Sequence, residues 1–216
     1  MLAAVRRIVD SVGVAVSADL ESGYGDTPRM VAETVGLALD IGVAGVNLED
    51  AVDGTQLPPG AAAERIGAAR AVAPSAELVL NARIDTFLVA AGSEADFEDA
   101  MTRARLYVNA GADCIFLPGL HDLDRLREAA RRIQAPLNIV VGLGGAPLDA
   151  TAIWSTGVRR ISVGGSLSRA AYGLVVDAAL AMRTAGTFDF AEHAIAHGEM
   201  QRAFDRDPSS PGLHHP

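Results

Sequence analysis

The feature that most constrains this chain is a repeat of strand, helix, glycine and strand running along most of its 216 residues. Short β-branched and aliphatic runs at 14–20, 45–49, 77–84, 113–118, 137–141 and 160–163 predict strands. Amphipathic stretches at 27–41, 59–73, 94–110, 123–134, 147–156 and 166–185 predict helices between and after them. Asp26-Thr27-Pro28 reads as a helix start, with proline in the first turn. The helix exits Ile41-Gly42-Val43, Ala110-Gly111-Ala112 and Thr156-Gly157-Val158 each place glycine where a left-handed cap costs least, then enter a strand. This repetition marks right-handed βαβ units in a parallel sheet. About six units are legible, fewer than an eight-stranded barrel needs, and residues 1–11 read as the helix of a unit without its strand. Periodicity alone leaves an open doubly wound sheet and an incomplete barrel both standing.

Composition narrows the classes. Hydrophobic residues make up 50% and aromatics 5%, so the core must be built from Ala, Val, Leu and Ile, as in parallel strands buried on both faces. The formal charge of −9, with no basic patch, argues against a nucleic-acid partner. No apolar run is long enough to span a bilayer and no signal peptide is visible, so no membrane partner and a cytoplasmic location are expected. Cys114 is the single cysteine, which excludes an internal disulfide. All 18 basic residues are arginine. Without lysine there is no Schiff-base chemistry and no lysine-anchored pyridoxal phosphate, which leaves metal-assisted routes among aldolase-like reactions.

The residues that carry chemistry gather at the predicted C-terminal ends of the strands. Asp19 and Glu21 stand two apart in Asp19-Leu20-Glu21-Ser22-Gly23-Tyr24-Gly25, so an extended backbone points both to one side. The next strand ends in Asn47-Leu48-Glu49-Asp50 and adds carboxylates at the same edge, where parallel barrels build active sites. Carboxylates crowded together repel unless a cation sits among them, and hard oxygen ligands favour Mg²⁺ or Mn²⁺. Helix capping is the plainer role for acids after strands, and Asp26 and Asp50 are candidates for it. Arg83, in Ala82-Arg83-Ile84-Asp85, has the planar fork that grips a substrate carboxylate, or else pairs structurally with Glu49 or Asp85. The Asn138 amide could bond a substrate oxygen or a neighbouring loop. The glycine-rich segments 142–145 and 163–166 suit either phosphate binding or tight turns. His121 is the one histidine near a strand end; the other four lie in the C-terminal segment and are expected to be solvated. No Gly-x-Gly-x-x-Gly follows a strand in the way an NAD site requires.

Taken in order, Asp19-x-Glu21-x-Gly23-Tyr24-Gly25, Leu48-Glu49-Asp50 and Ala82-Arg83-Ile84-Asp85 resemble the isocitrate lyase and phosphoenolpyruvate mutase superfamily, in a phosphonomutase-like member. Cys114-Ile115-Phe116-Leu117-Pro118-Gly119 and Gly157-Val158-Arg159-Arg160-Ile161-Ser162 resemble its later segments, so the likeness covers roughly residues 1–186. The resemblance implies a TIM-type (β/α)8 barrel, with the βα units of this chain forming its later part and two further units belonging before Met1. It implies Asp19, Glu21 and Glu49 as Mg²⁺ ligands, direct or through water. By the same resemblance Arg83 helps hold the substrate carboxylate. The residues expected in catalysis are Arg83, Glu49 and Asn138, with Tyr24, Gly25, Arg83 and Asn138 expected around the substrate. In the family's lyases the loop after Glu-Asp carries a Lys-Lys-Cys-Gly-His type segment with an acid–base cysteine. Here Ala51-Val52-Asp53-Gly54-Thr55-Gln56-Leu57-Pro58-Pro59 has no Cys, Lys or His, and polar Thr55 and Gln56 stand in that loop instead. Cys114, inside a predicted strand, reads as a small core residue.

The expected protein is therefore an N-terminally incomplete barrel over residues 1–187, a C-terminal helix over 188–206 and a disordered tail over 207–216. By resemblance, that helix is exchanged between subunits of a homo-oligomeric dimer or tetramer. The expected activity is that of an Mg-dependent lyase or phosphonomutase-type enzyme acting on a small 2-oxo or 2-hydroxy carboxylate. A catalytically silent barrel scaffold is the alternative.

Overall fold

The computed structural model describes residues 1–143 and 149–204. Two compact units are present, Met1–Gly164 and a second that begins at Gly165. The first opens with helix α1 (Leu2–Val9), then alternates strands with helices: β1 (Ser17–Asp19), α2 (Pro28–Ile41), β2 (Gly45–Glu49), a hairpin of β3 (Ala51–Val52) and β4 (Thr55–Gln56), and α3 (Pro59–Val72). It continues through β5 (Val79–Arg83), α4 (Thr86–Val89), α5 (Glu94–Asn109), β6 (Cys114–Phe116), α6 (Leu123–Arg132), β7 (Leu137–Val140), α7 (Ala150–Ser155) and β8 (Arg160–Ser162). The second unit holds α8 (Ser166–Thr184), a 3₁₀ turn (Asp189–His193) and α9 (His197–Phe204).

The main sheet has six strands in the order β1-β2-β5-β6-β7-β8, and every neighbouring pair is parallel. Each new strand is added beside the last, with no reversal of direction across the sheet. That winding belongs to a (β/α) barrel, whereas a doubly wound sheet turns back at a switch point. The ambiguity left by periodicity is thereby resolved in favour of a partial barrel.

Strand period sets the two faces. Ala18, Val46, Leu48, Leu80, Ala82, Ile115, Leu137 and Ile139 join the core together with helix residues such as Val31, Val35, Ile66, Ala104 and Leu126. Each fully buried Leu or Ile contributes about 1.5–3 kcal/mol against exposure. The alternate positions, Asp19, Asn47, Glu49, Asn81, Arg83, Asn138 and Arg160, therefore share the other face, which holds most of the candidate site residues.

Helix ends follow the sequence closely. Thr27 caps α2 by accepting from Met30 N at 3.3 Å, which makes Thr27, not Asp26, the capping residue. Gly42, Gly111 and Gly157 adopt φ of 92°, 108° and 98°, the left-handed exits that the repeats imply. Strand β1 is shorter than its predicted run because Val14 lies outside the ladder and is 75% exposed. Predicted helix 147–156 is Ala150–Ser155 among the described residues, while Pro147, Leu148, Gly144, Gly145 and the tail from residue 205 lie outside them.

Candidate active site

The site is built at the C-terminal ends of β1, β2 and β5. Beyond β1 the backbone turns sharply: Glu21 and Tyr24 take left-handed φ of 48° and 52°, and the Glu21 amide donates to Asp19 Oδ1 at 3.1 Å. Such conformations cost non-glycine residues of order 1 kcal/mol each and need support from their surroundings. Arg65 of α3 supplies it, donating to the carbonyls of Ser22 at 3.1 Å and Asp26 at 3.0 Å. Gly25 packs so closely that a Cβ would stand 2.4 Å from Met30 Cβ, which explains the glycine at that position. The Glu49 amide donates to the Glu21 carbonyl at 2.8 Å, stitching the turn to the end of β2.

Glu49 and Arg83 face each other in register across β2 and β5. Arg83 Nη1 meets Glu49 Oε2 at 2.8 Å, its Nε donates to Asp85 Oδ1 at 2.6 Å, and its Nη2 donates to Asp85 Oδ2 at 3.2 Å. The guanidinium lies 5.9 Å from the Phe116 ring centroid. Burial pushes the Glu49 carboxyl up to about 7; Arg83 opposes that rise, while Asp85, Asp19 and Glu21 add to it. Asp85 is also raised, first by burial and against the pull of Arg83. Negative charge is thus in excess here, with one arginine set among four carboxylates. Among the described residues, no group of three or more His, Cys, Asp or Glu side chains is placed to hold a metal ion.

Asp50, weighed above as a helix cap, has another task. Buried to 2% exposure, it accepts from the Asp85 amide at 2.9 Å, Gln56 Nε2 at 3.0 Å, Arg103 Nη1 at 3.2 Å and the Tyr107 hydroxyl at 2.7 Å. Arg103 also donates to the Leu57 carbonyl at 2.8 Å and to Asp99 at 2.6 Å. This network ties the β3–β4 hairpin to the sheet. Its turn, Asp53-Gly54, has φ of 49° and 76°, the doubly left-handed geometry for which Asp-Gly is suited. Gln56, one of the two uncharged polar residues in this loop, donates to Asp50 and to Thr86 Oγ1 at 2.9 Å.

Asp19, Glu21, Tyr24, Glu49 and Arg83 are therefore brought together; burial first and Glu21 next raise the Tyr24 phenol. Asn138 stands apart, two strands from Arg83, with Phe116 between them in register. It is wholly buried, and neither amide atom has a hydrogen-bond partner. Cys114 is a buried free thiol that burial pushes up to about 11, as suits a core residue rather than an acid–base group. His121 is half-buried and lines a recess of about 300 Å³ with Phe87, Phe97 and Arg125, while His193 and His197 are exposed. Arg65 and Arg103 were not singled out from sequence. Each of their helices carries two arginines, and only the fold reveals what each one bonds.

A sequentially wound parallel sheet with acids and one arginine at its C-terminal edge defines the class as a (β/α) barrel, a fold whose enzymes build their sites at that edge. The chain belongs to the phosphoenolpyruvate phosphomutase family, whose sequence model it matches over residues 1–183. It is 31% identical over 161 residues to 2-methylisocitrate lyase of Escherichia coli K12, covering 70% of this chain and 53% of that one. A crystal structure of a Burkholderia cenocepacia J2315 protein assigned as a lyase/mutase superposes with TM-score 0.91 and 37% identity, over 99% of this chain and 77% of that one. The structure of 2,3-dimethylmalate lyase, a member of the phosphoenolpyruvate mutase/isocitrate lyase superfamily, gives TM-score 0.75 and 26% identity, over 87% and 66% of the two chains. The chain spans about half the length of the curated relatives it matches. Relatives are thus lyases and mutases. Among the described residues, no helix is long and apolar enough to cross a membrane.

Proposed function

We propose that this chain carries the site of an Mg²⁺- or Mn²⁺-dependent lyase or phosphonomutase-type enzyme acting on a small 2-oxo or 2-hydroxy carboxylate. The observation that carries the reading is the charge excess at Glu49, whose carboxyl is held near pH 7 by burial and three neighbouring acids. A divalent cation would relieve that excess, and Asp19, Glu21 and Glu49 offer the hard oxygen donors it takes. Mg²⁺ commonly uses one or two protein carboxylates and fills its remaining positions with water, so the donor set fits without three ligands converging. When bound, the ion supplies positive charge for an enolate-like oxyanion while a C–C or P–C bond breaks or forms.

Arg83 holds the substrate carboxylate in this reading, with Asp85 fixing the plane of its guanidinium. Glu49, paired with Arg83 in this structure, would help to hold the cation. The unpartnered Asn138 amide serves a substrate oxygen, and Tyr24 and Gly25 wall the entrance. Exposed apolar side chains on α8, including Leu167, Tyr172 and Leu174, support a homo-oligomeric protein with subunits meeting through the C-terminal helices. A cytoplasmic location completes the proposal.

Substituting Asp19→Ala or Glu49→Ala should each abolish metal-dependent turnover of oxaloacetate, a 2-methylmalate or phosphonopyruvate. Undiminished turnover in either variant sinks the assignment. The scaffold reading also has an observation behind it: Nε, Nη1 and Nη2 of Arg83 are all engaged by the chain's own acids. Calorimetry with Mg²⁺ and oxalate separates the two, since a silent scaffold shows no metal-linked oxalate binding.

A further inference from the structure

Asp85 stands where a capping residue is favoured, just before the first turn of α4. Its side chain makes no capping bond. Both its oxygens turn to Arg83 instead, one to Nε at 2.6 Å and the other to Nη2 at 3.2 Å. That grip takes one edge of the guanidinium fork and leaves the Nη1–Nη2 edge, where Nη1 meets Glu49, to face a carboxylate. Arg83 and Asp85 flank Ile84, so the grip keeps its direction only if the backbone between them is fixed.

Asp50 fixes that backbone on both sides of Ile84. Its amide donates to the Arg83 carbonyl at 3.1 Å, and its Oδ1 accepts from the Asp85 amide at 2.9 Å. Its Oδ2 is held in turn by Gln56, Arg103 and Tyr107. Asp50 and Asp85 are both buried, so little water competes for these bonds. Strands β2 and β5 each have a neighbour on both sides, which places the arrangement inside the sheet and away from its edges. We propose that Asp50 is a positioning residue for the proposed reaction, holding the Arg83–Asp85 segment so that the Nη1–Nη2 edge faces the substrate carboxylate. The inference rests on the role given to Arg83 above.

The test reads Arg83 and ligand binding separately. Side-chain NMR of the metal-free full chain follows the Arg83 Nε–H, identified by its loss in Arg83→Gln. In Asp50→Asn the Arg103 cation draws the amide oxygen to its side, which sets an N–H group against the Asp85 amide. Exchange of the Arg83 Nε–H with water should then quicken about tenfold or more. Calorimetry with oxalate and Mg²⁺ gives the second reading, and Asp50→Asn should weaken oxalate about tenfold, the usual worth of a charge-assisted hydrogen bond. Added to Arg83→Gln, it should change affinity by less than about twofold, because the group it acts through is gone. Tyr107→Phe loosens the hold on Oδ2 but leaves the Asp85 amide bonded, so both readings should stay within about twofold of the wild type while stability falls. Should Asp50→Asn fail to fold, Asp50→Glu keeps the charge beside Arg103 and displaces the carboxylate by one methylene, with the same two effects expected.

Unchanged Arg83 exchange or unchanged oxalate affinity in a folded Asp50 variant overturns the proposal. An equal loss in Tyr107→Phe, or a loss that persists undiminished in the Arg83→Gln background, overturns it too. Failure of both Asp50 variants to fold makes Asp50 a scaffold residue and has the same consequence. Absence of Mg²⁺-linked oxalate binding in the wild type is a different failure. It sinks the functional reading first, and the binding role of Asp50 falls with it, whatever the exchange rates show.

Discussion

Two regions along one sheet satisfy their polar groups in different ways. Around β2 and β5 the charged side chains are saturated: Arg83 is held by Glu49 and Asp85, and Asp50 by Arg103, Tyr107 and Gln56. Around β7 and β8, Asn138 has no partner at either amide atom, and Arg160 Nη1 has none. Buried polar groups are almost always bonded, because leaving one unmet costs about 1–3 kcal/mol. The first region is therefore a lattice that pairs its arginines and Asp50 internally, although Asn81 Oδ1 on β5 also lacks a partner. The second retains open hydrogen-bond capacity, and open capacity belongs where a ligand is to bind.

The sharpest way to break that contrast is to open the closed side. Arg103→Met removes the cation from a buried carboxylate and leaves Asp50 to Tyr107, Gln56 and one amide. Uncompensated buried charge typically costs about 3–5 kcal/mol. Urea unfolding should show a loss of about 3 kcal/mol with an unchanged dependence on denaturant. A loss below about 1 kcal/mol would mean that the lattice does not hold the hairpin and that the two regions differ less than their bonding suggests.

How much of this was legible beforehand follows the same divide. The barrel was readable because glycine exits, parallel-strand composition and βα spacing repeat, and repetition survives errors at any one element. Asp19, Glu49 and Arg83 were readable because alternation along strands settles which residues share a face. Glu21 lies beyond β1 with φ of 48°, so a turn and not the expected extended backbone brings it near them. The Asp50–Arg103–Tyr107 cluster was not, since it joins residues more than fifty positions apart and nothing local sets one arginine of α5 above its neighbours. The β3–β4 hairpin did leave a signal, Asp53-Gly54 between short β-prone pairs. Its strands are two residues each, too short for alternation to register. The unpartnered state of Asn138 has no sequence signature at all.

A second, smaller test concerns Glu49 within the closed region. Its carboxyl sits near 7 in the native chain, above the ordinary 4.5, so the native state binds this proton more tightly than the unfolded chain does. Its contribution to stability is therefore complete below about pH 4.5 and is lost as pH rises through about 7. The slope in that window is bounded at about 1.4 kcal/mol per pH unit, and solvent access to the group reduces it. Glu49→Gln cannot titrate, so the metal-free variant should gain on the wild type between those limits and run parallel to it above. Equal slopes for the two proteins would show that Glu49 ionises normally, and the charge excess behind the proposed cation site would go with it.

The smallest expected effect comes from the open side and has the opposite sign. Asn138→Leu replaces a wholly buried amide lacking partners with an apolar side chain of similar shape. Exchanging an unsatisfied polar group for an isostere is neutral or stabilising, here by up to about 1 kcal/mol. Asn138 is also assigned to a substrate oxygen, so the same variant should lose oxalate affinity in the presence of Mg²⁺. Stability and binding then move apart, as they do where a site is kept open at the expense of the fold. If Asn138→Leu instead destabilises the protein and leaves oxalate binding intact, the amide is bonded within the folded protein, by ordered water or otherwise. The β7–β8 side would then be as closed as the other, and Asn138 would belong to the scaffold.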